Sequence, residues 1–336
     1  MSEKRKTFLA RVNLARYRGQ PQGHYESFFQ RANHPTRPLA FWIRYTLFSP
    51  QAHPEQARGE LWAVFFNGET RQHLAVKQEF PFGECSFSTS EFQVQIGNAR
   101  LGARRLQGAV QAHDRTIAWK LSCSGTADPL LLLPLRLYTA RFPAAKSLVG
   151  LPLARYQGEL FLNGETVEIA DWTGSQNHNW GVRHTDRYAW GQVAGFDTHP
   201  ESFLEVATAQ LRLGPVWTPP ITPLVLRHRG REYALNGLWQ SISARGAVDY
   251  FMWRFKSATE QTAIEGTLSA PAQAFVGLQY DNPPGGVKHC LNTKIAACHV
   301  QIKDRALGIQ ETLETRSRAA FEILTDDRTH GIPMAA

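Results

Sequence analysis

The sequence predicts an all-β chain made of two related halves, and three observations predict it. Apolar residues alternate with a period of two nearly everywhere, turn-forming pairs punctuate the alternating runs, and a faint repeat relates the first half to the second. The alternation is clearest in Phe41, Ile43, Tyr45 and Leu47 against Trp42, Arg44, Thr46 and Phe48, then in Ile117, Trp119, Leu121 and Cys123, then in Phe251, Trp253 and Phe255. Each reads as a strand with a buried face, and both rows of the first are expected to line or fill the first unit. Leu61 to Phe66 is apolar on both faces, as happens where a sheet curls around an interior and is also covered outside. Asn67-Gly68, Asn163-Gly164, His113-Asp114 and Arg229-Gly230 read as hairpins, because Asn-Gly accepts the positive φ of a type I′ turn. Glu311 to Leu324 fits helix or strand, and strand is preferred.

The repeat emerges when the chain is shifted so that Tyr25 falls on Trp190. His34-Pro35 then meets His199-Pro200 and Pro50 meets Pro215, with a strand on either side of the His-Pro corner in both copies. Two stacked copies of one β domain would give this pattern. The proline-containing stretch from Phe142 to Pro152 lies between them and reads as a linker, so the expected division is 1–145 and 146–336.

Composition narrows the function. A chain of 336 residues with 43% hydrophobic and 20% charged residues is an ordinary globular protein. The net charge of +8 is scattered, with no basic element or nucleic-acid motif, so no nucleic acid is expected as a partner; a loose attraction to an anionic membrane surface is the most the charge implies. No specific protein partner is indicated. Four dispersed cysteines form neither a disulfide framework nor a zinc spacing, and free thiols are expected. The basic N-terminus is followed by no apolar signal region and no stretch spans a membrane, so the cytoplasm is the default expectation. Phosphate loops, nucleophile elbows and paired-carboxylate motifs are missing, which argues against kinases, dehydrogenases and common hydrolases.

Chemistry concentrates in Trp172 to Phe196. Asn177, His178, Asn179, Arg183, His184 and Asp186 alternate there with Trp172, Trp180, Tyr188 and Trp190. Aromatic walls with a few placed polar groups suit a pocket for a largely apolar ligand; a tight corner whose side chains hold two strands in register is the competing reading. On the pocket reading, Asn177, Asn179, Trp180, His184, Tyr188, Trp190 and Gln192 contact the ligand. His178 is the first candidate for a proton donor or carbonyl-orienting group, and Asp186 is the nearest carboxylate that could tune it, or else an exposed partner of Arg183 or Arg187. The spacing of His178 and His184 matches no zinc motif, so no metal is expected.

These residues carry a resemblance. Leu106-Gln-Gly with Ile117-Ala-Trp-Lys-Leu121, Tyr156-Gln-Gly158, Asn163-Gly-Glu165, Asn177-His-Asn-Trp-Gly181 with His184 and Trp190-Gly191, and Tyr280-Asp-Asn-Pro-Pro-Gly-Gly286 make the chain resemble the tandem-lipocalin superfamily of carotenoid hydratases (hydroxyneurosporene synthases), tocopherol cyclases, fungal pericyclases and AttH-like bacterial proteins. The resemblance implies two lipocalin-like (calycin) β-barrels or half-barrels in tandem, and a hydrophobic ligand of isoprenoid, carotenoid or polyketide type held near their junction. It also implies no cofactor, and isomerisation, cyclisation or hydration as the chemistry. The hydratases it resembles carry an acid at the position of Asn177. An amide cannot protonate an alkene, so His178, Asp186 or Glu205 would have to supply the proton. A non-catalytic carrier and a structural protein with a filled core stay open beside the enzyme.

Overall fold

The computed structural model describes residues 3–336 and is nearly all β. After a short helix, α1 (Glu3–Leu9), come β1 (His24–Asn33), β2 (Leu39–Ser49), β3 (Arg58–Asn67), β4 (Leu74–Pro81), β5 (Cys85–Phe87), β6 (Gln93–Ile96), β7 (Ala99–Gly102), β8 (Arg105–Ala112), β9 (Arg115–Ser124), β10 (Leu130–Leu131), β11 (Ala145–Leu162) and β12 (Glu165–Gly181). The chain continues through β13 (Arg187–Ala194), β14 (Phe203–Gln210), β15 (Arg212–Leu213), β16 (Val216–Trp217), β17 (Leu224–His228) and β18 (Arg231–Leu235). It then forms α2 (Leu238–Ser243), β19 (Arg245–Asp249), β20 (Met252–Ala258), β21 (Thr262–Ser269), β22 (Val276–Asp281), β23 (Val287–Asp304) and β24 (Ile309–Thr325). Glu311 to Leu324 is therefore strand.

The first sheet runs β4-β3-β2-β1-β12-β11-β9-β8-β7-β6-β5, and the second runs β18-β17-β14-β13-β24-β23-β21-β20-β19. Reading outward from β12 and from β24, the two orders correspond strand for strand through β4 and β18 on one side and β7 and β19 on the other. This is the tandem all-β architecture of two lipocalin-like units. β4 returns against β8 and β9, so the first sheet curls into a nearly closed barrel.

The sheets divide later than residue 145. Residues 145–181 form the long hairpin β11–β12 of the first sheet, in which β12 pairs with both β11 and β1. The chain crosses to the second sheet only at 182–186. The prolines that suggested a linker are accommodated by irregular pairing: the register of β11 slips between Pro152 and Ala154, where a missing N–H does little harm. The Asn177-His-Asn-Trp-Gly181 motif therefore sits on the last strand of the first sheet and not in the second unit. Among the hairpins, Asn163-Gly164 and Arg229-Gly230 have positive φ at both residues, as a two-residue I′ turn requires. Asn67-Gly68 instead opens a longer loop, because the Asn67 side chain accepts from the backbone N–H groups of Glu69 and Thr70.

Inside the first barrel, Phe28, Phe41, Tyr45, Trp119, Tyr156 and Trp172 pack into one cluster, each contributing about 1.5–3 kcal/mol by burial. Trp119 Nε1 donates to Tyr45 Oη and Tyr156 Oη to Gln30. Strand period decides the rest. Phe41, Ile43 and Tyr45 fill this interior, whereas Trp42 and Arg44, expected to share it, lie on the opposite face of β2 and turn toward the second sheet. The second unit has its own interior around Trp253, Phe255 and Leu268. The sheets meet through β1, β2 and β3 against β23 and through β11 and β12 against β13. Among the described residues no helix is long and apolar enough to cross a membrane.

Candidate functional site

β12 separates two environments, because alternate residues leave it on opposite faces. His178 enters the side closed by the N-terminal segment. Its Nε2 donates to Glu26 Oε1 at 2.8 Å and its Nδ1 to the Val12 carbonyl, so both nitrogens are occupied. Phe28 stacks on the ring with centroids 4.2 Å apart. Glu26 also accepts from the backbone N–H groups of Arg16 and Tyr17 and from His24 Nε2. Burial alone would raise the Glu26 pKa, but the hydrogen bonds from His178 and His24 outweigh it and hold the carboxyl at about 2. Trp180 points the same way, packs with Val12, Leu131, Tyr138 and Leu148, and carries the Arg16 guanidinium 4.5 Å from its ring.

The other face of β12 meets the second sheet through a buried polar network. Gln192 Nε2 donates to Asn177 Oδ1 at 2.8 Å and to Glu205 Oε2 at 2.7 Å, and Gln192 Oε1 accepts from Arg31 Nε and Ser175 Oγ. Trp190 Nε1 donates to Glu205 Oε1 at 2.8 Å. Burial pushes the Glu205 carboxyl up to about 7, against the pull of those donors and of Arg31. This network fixes how the two sheets sit together.

Beside it, a cavity of about 210 Å³ opens between the sheets. Its walls come from three places: Tyr25, Phe29, Trp42, Arg44, Lys146 and Asn179 of the first sheet; Tyr188, Trp190, Ala207, Tyr280 and Glu322 of the second; and the connection from β10 to β11 with Leu132, Leu137 and Phe142, closed by Leu238 and Ser241 of α2. His184 also lines it, stacked on Tyr25 with centroids 4.0 Å apart. Its Nε2 donates to the Asp281 carbonyl, which leaves Nδ1 unprotonated, and burial together with nearby Arg44 lowers its pKa to about 3. His184 is therefore a neutral imidazole whose Nδ1 can accept a hydrogen bond. Two buried polar atoms on the wall have no hydrogen-bond partner, Trp42 Nε1 and Asn179 Oδ1.

Of the residues expected from sequence, Asn179, His184, Tyr188 and Trp190 line the cavity. Asn177, Gln192 and Glu205 lie in the adjoining network, while His178 and Trp180 leave through the other face. Asp186 is remote from both: its carboxylate accepts the Arg212 backbone N–H and lies 3.9 Å from Arg183. Sequence reasoning missed Tyr25, Phe29, Arg44, Lys146, Tyr280 and Glu322 as site residues. Arg44 had a signal, a charge in a strand otherwise apolar on both faces. The others come from distant elements that only the tertiary fold assembles. Outside the cavity, His199, His228 and Glu311 bring donor atoms within 4.8 Å of one another. Glu311 is already bonded there by His228 at 2.7 Å and by Arg229 at 2.6 Å.

Two lipocalin-like units joined over a polar seam, with a lined space between them, define the structural class. No family model matches the chain. It is similar to Uncharacterized protein Rv0493c and Uncharacterized protein MT0513, from two strains of Mycobacterium tuberculosis, each 24% identical over 303 residues that span 89% of this chain and 87% of theirs. Among solved structures, it superposes on a "putative AttH" (NE1406) from Nitrosomonas europaea with a TM-score of 0.56 at 11% identity, covering 90% of this chain and 91% of that one. Kievitone hydratase from Nectria haematococca gives a TM-score of 0.56 at 12% identity over 92% and 91% of the two chains. At these identities the likeness is one of fold.

Proposed function

We propose that this protein binds a hydrophobic small molecule, of isoprenoid or polyketide type, in the cavity between its two units. One observation carries this reading: the first barrel is filled by its own side chains, whereas the junction keeps about 210 Å³ of space walled by aromatic rings. Such a space suits an apolar guest oriented by a few polar groups. A stoichiometric titration with an apolar dye tests it. About one equivalent should bind and be displaced by lipid, and Trp190→Ala should weaken binding while Trp180→Ala, on the other face of β12, should not. Absence of saturable binding would leave a filled structural protein.

A second reading, conversion of that guest without a cofactor, is favoured by the chemistry of the wall. His184 offers an unprotonated nitrogen beside Tyr25, with Tyr188 and Tyr280 on the same wall. Hydration started by a carboxylic acid fits poorly, because Asn177 is an amide, Glu205 lies behind Trp190, and Glu322 is held by Lys294 and Asn292. Isomerisation or cyclisation guided by His184 is the better match. Mass spectrometry of a lipid extract incubated with wild type and with His184→Phe decides it: a compound lost only with wild type, giving a product of equal mass, supports the conversion. Retention without change would make the protein a carrier.

A further inference from the structure

Arg44 is the misfit of the cavity wall. It stands on β2 in a strand buried along its whole length, with its guanidinium 4.3 Å from the Tyr280 ring and 5.9 Å from the Trp42 ring. Among the described residues its only hydrogen bonds, from Nε and Nη2, go to the neutral Ser27 hydroxyl, and Nη1 forms none. No carboxylate among the described residues lies within ion-pair distance. The two that act on it electrostatically are engaged elsewhere: Glu60 with Arg58 and Lys77, and Glu322 with Lys294. Lys146, on the same wall, bonds only the Pro143 carbonyl. Tyr280, Glu60 and Glu322 favour the charged guanidinium from a distance and outweigh its burial, but a buried charge is normally paired directly. Beside it, Trp42 is 1% exposed and its indole N–H is an unused donor on the same wall.

We infer that Arg44, with Trp42 Nε1, forms an anion subsite, and that the guest is a lipophilic acid: an apolar ring or chain carrying one carboxylate or acidic enol oxygen. The inference rests on the cavity reading above and sharpens it. The aromatic walls take the apolar body, and the guanidinium, which offers planar paired donors, takes the oxygens. A neutral hydrocarbon would leave both the charge and the indole donor buried and unsatisfied. Its recognition would therefore be the poorer one.

The test compares 2-naphthoate with the near-isosteric neutral 2-naphthamide at neutral pH, by calorimetry on the whole chain. The naphthoate is expected to bind wild type at least about tenfold more tightly. Arg44→Gln should erase that preference, and Arg44→Lys should restore part of it. Equal binding of the two probes by wild type overturns the anion subsite and leaves the cavity reading standing. Binding of neither overturns both. The wild-type comparison decides the matter even where a variant fails to fold.

Discussion

The two faces of β12 make an instructive contrast. On one, His178 and Glu26 form a corner in which every polar atom of the pair has a partner: a histidine between a carboxylate and a carbonyl, and a carboxylate receiving two backbone N–H groups and two imidazoles. On the other side, where Trp42 of β2 lines the same cavity as Asn179, each keeps a buried atom unbonded, and Arg44 has no ion-pair partner among the described residues. Both environments are rich in histidine and aromatic rings, so composition does not separate them. Satisfaction does. A closed set of bonds stabilises the fold, while unused donors and acceptors around a space are what the proposed guest would use.

The sharpest way to break this contrast is Glu26→Ala. It should destabilise the protein by about 3–5 kcal/mol, because it strands two imidazoles and two backbone N–H groups; denaturant unfolding reads this out. Dye affinity of the folded fraction should stay unchanged. Trp180→Ala should cost about 3–5 kcal/mol as well, and again spare binding. Loss of binding in either variant would show that the corner belongs to the site.

A pH titration of stability sharpens the contrast further, since the two buried carboxylates act with opposite sign. The Glu26 pKa falls from 4.5 to about 2 on folding, so its contribution is present above 4.5 and lost as pH falls toward 2. The Glu205 pKa rises from 4.5 to about 7, so its contribution is present below 4.5 and lost as pH rises through 7. Glu26→Gln should flatten the acid limb, and Glu205→Gln should flatten the decline between 4.5 and 7. Unchanged limbs would mean that neither carboxyl is held as described. The smallest effect belongs to Asp186→Ala, which removes one partly exposed bond to the Arg212 N–H; about 1 kcal/mol or less of stability, and no change in dye binding, is expected.

Much of the fold was legible. Period-two alternation yields the strands, the I′ turns at Asn163-Gly164 and Arg229-Gly230 follow from their residues, and the internal repeat anticipates two sheets of matching strand order. That residues 145–181 belong to the first sheet was not legible, because prolines in irregular strands look like linkers, and strand pairing between β1 and β12 is a contact between residues far apart in sequence. The site was half legible. Asn179, His184, Tyr188 and Trp190 come from the segment whose composition announced a pocket.

By itself, then, the sequence determined the all-β class, the two related units and the segment richest in chemistry, since these depend on local periodicity and composition. Only the tertiary structure decided which face of each strand meets the partner sheet. Because side chains alternate across a strand, neighbours in sequence part company: His178 is sealed in a corner while Asn179 faces the cavity. Arg44 acquires its meaning in the same way, from Tyr280 and Trp42 placed beside it and from carboxylates already claimed by other cations.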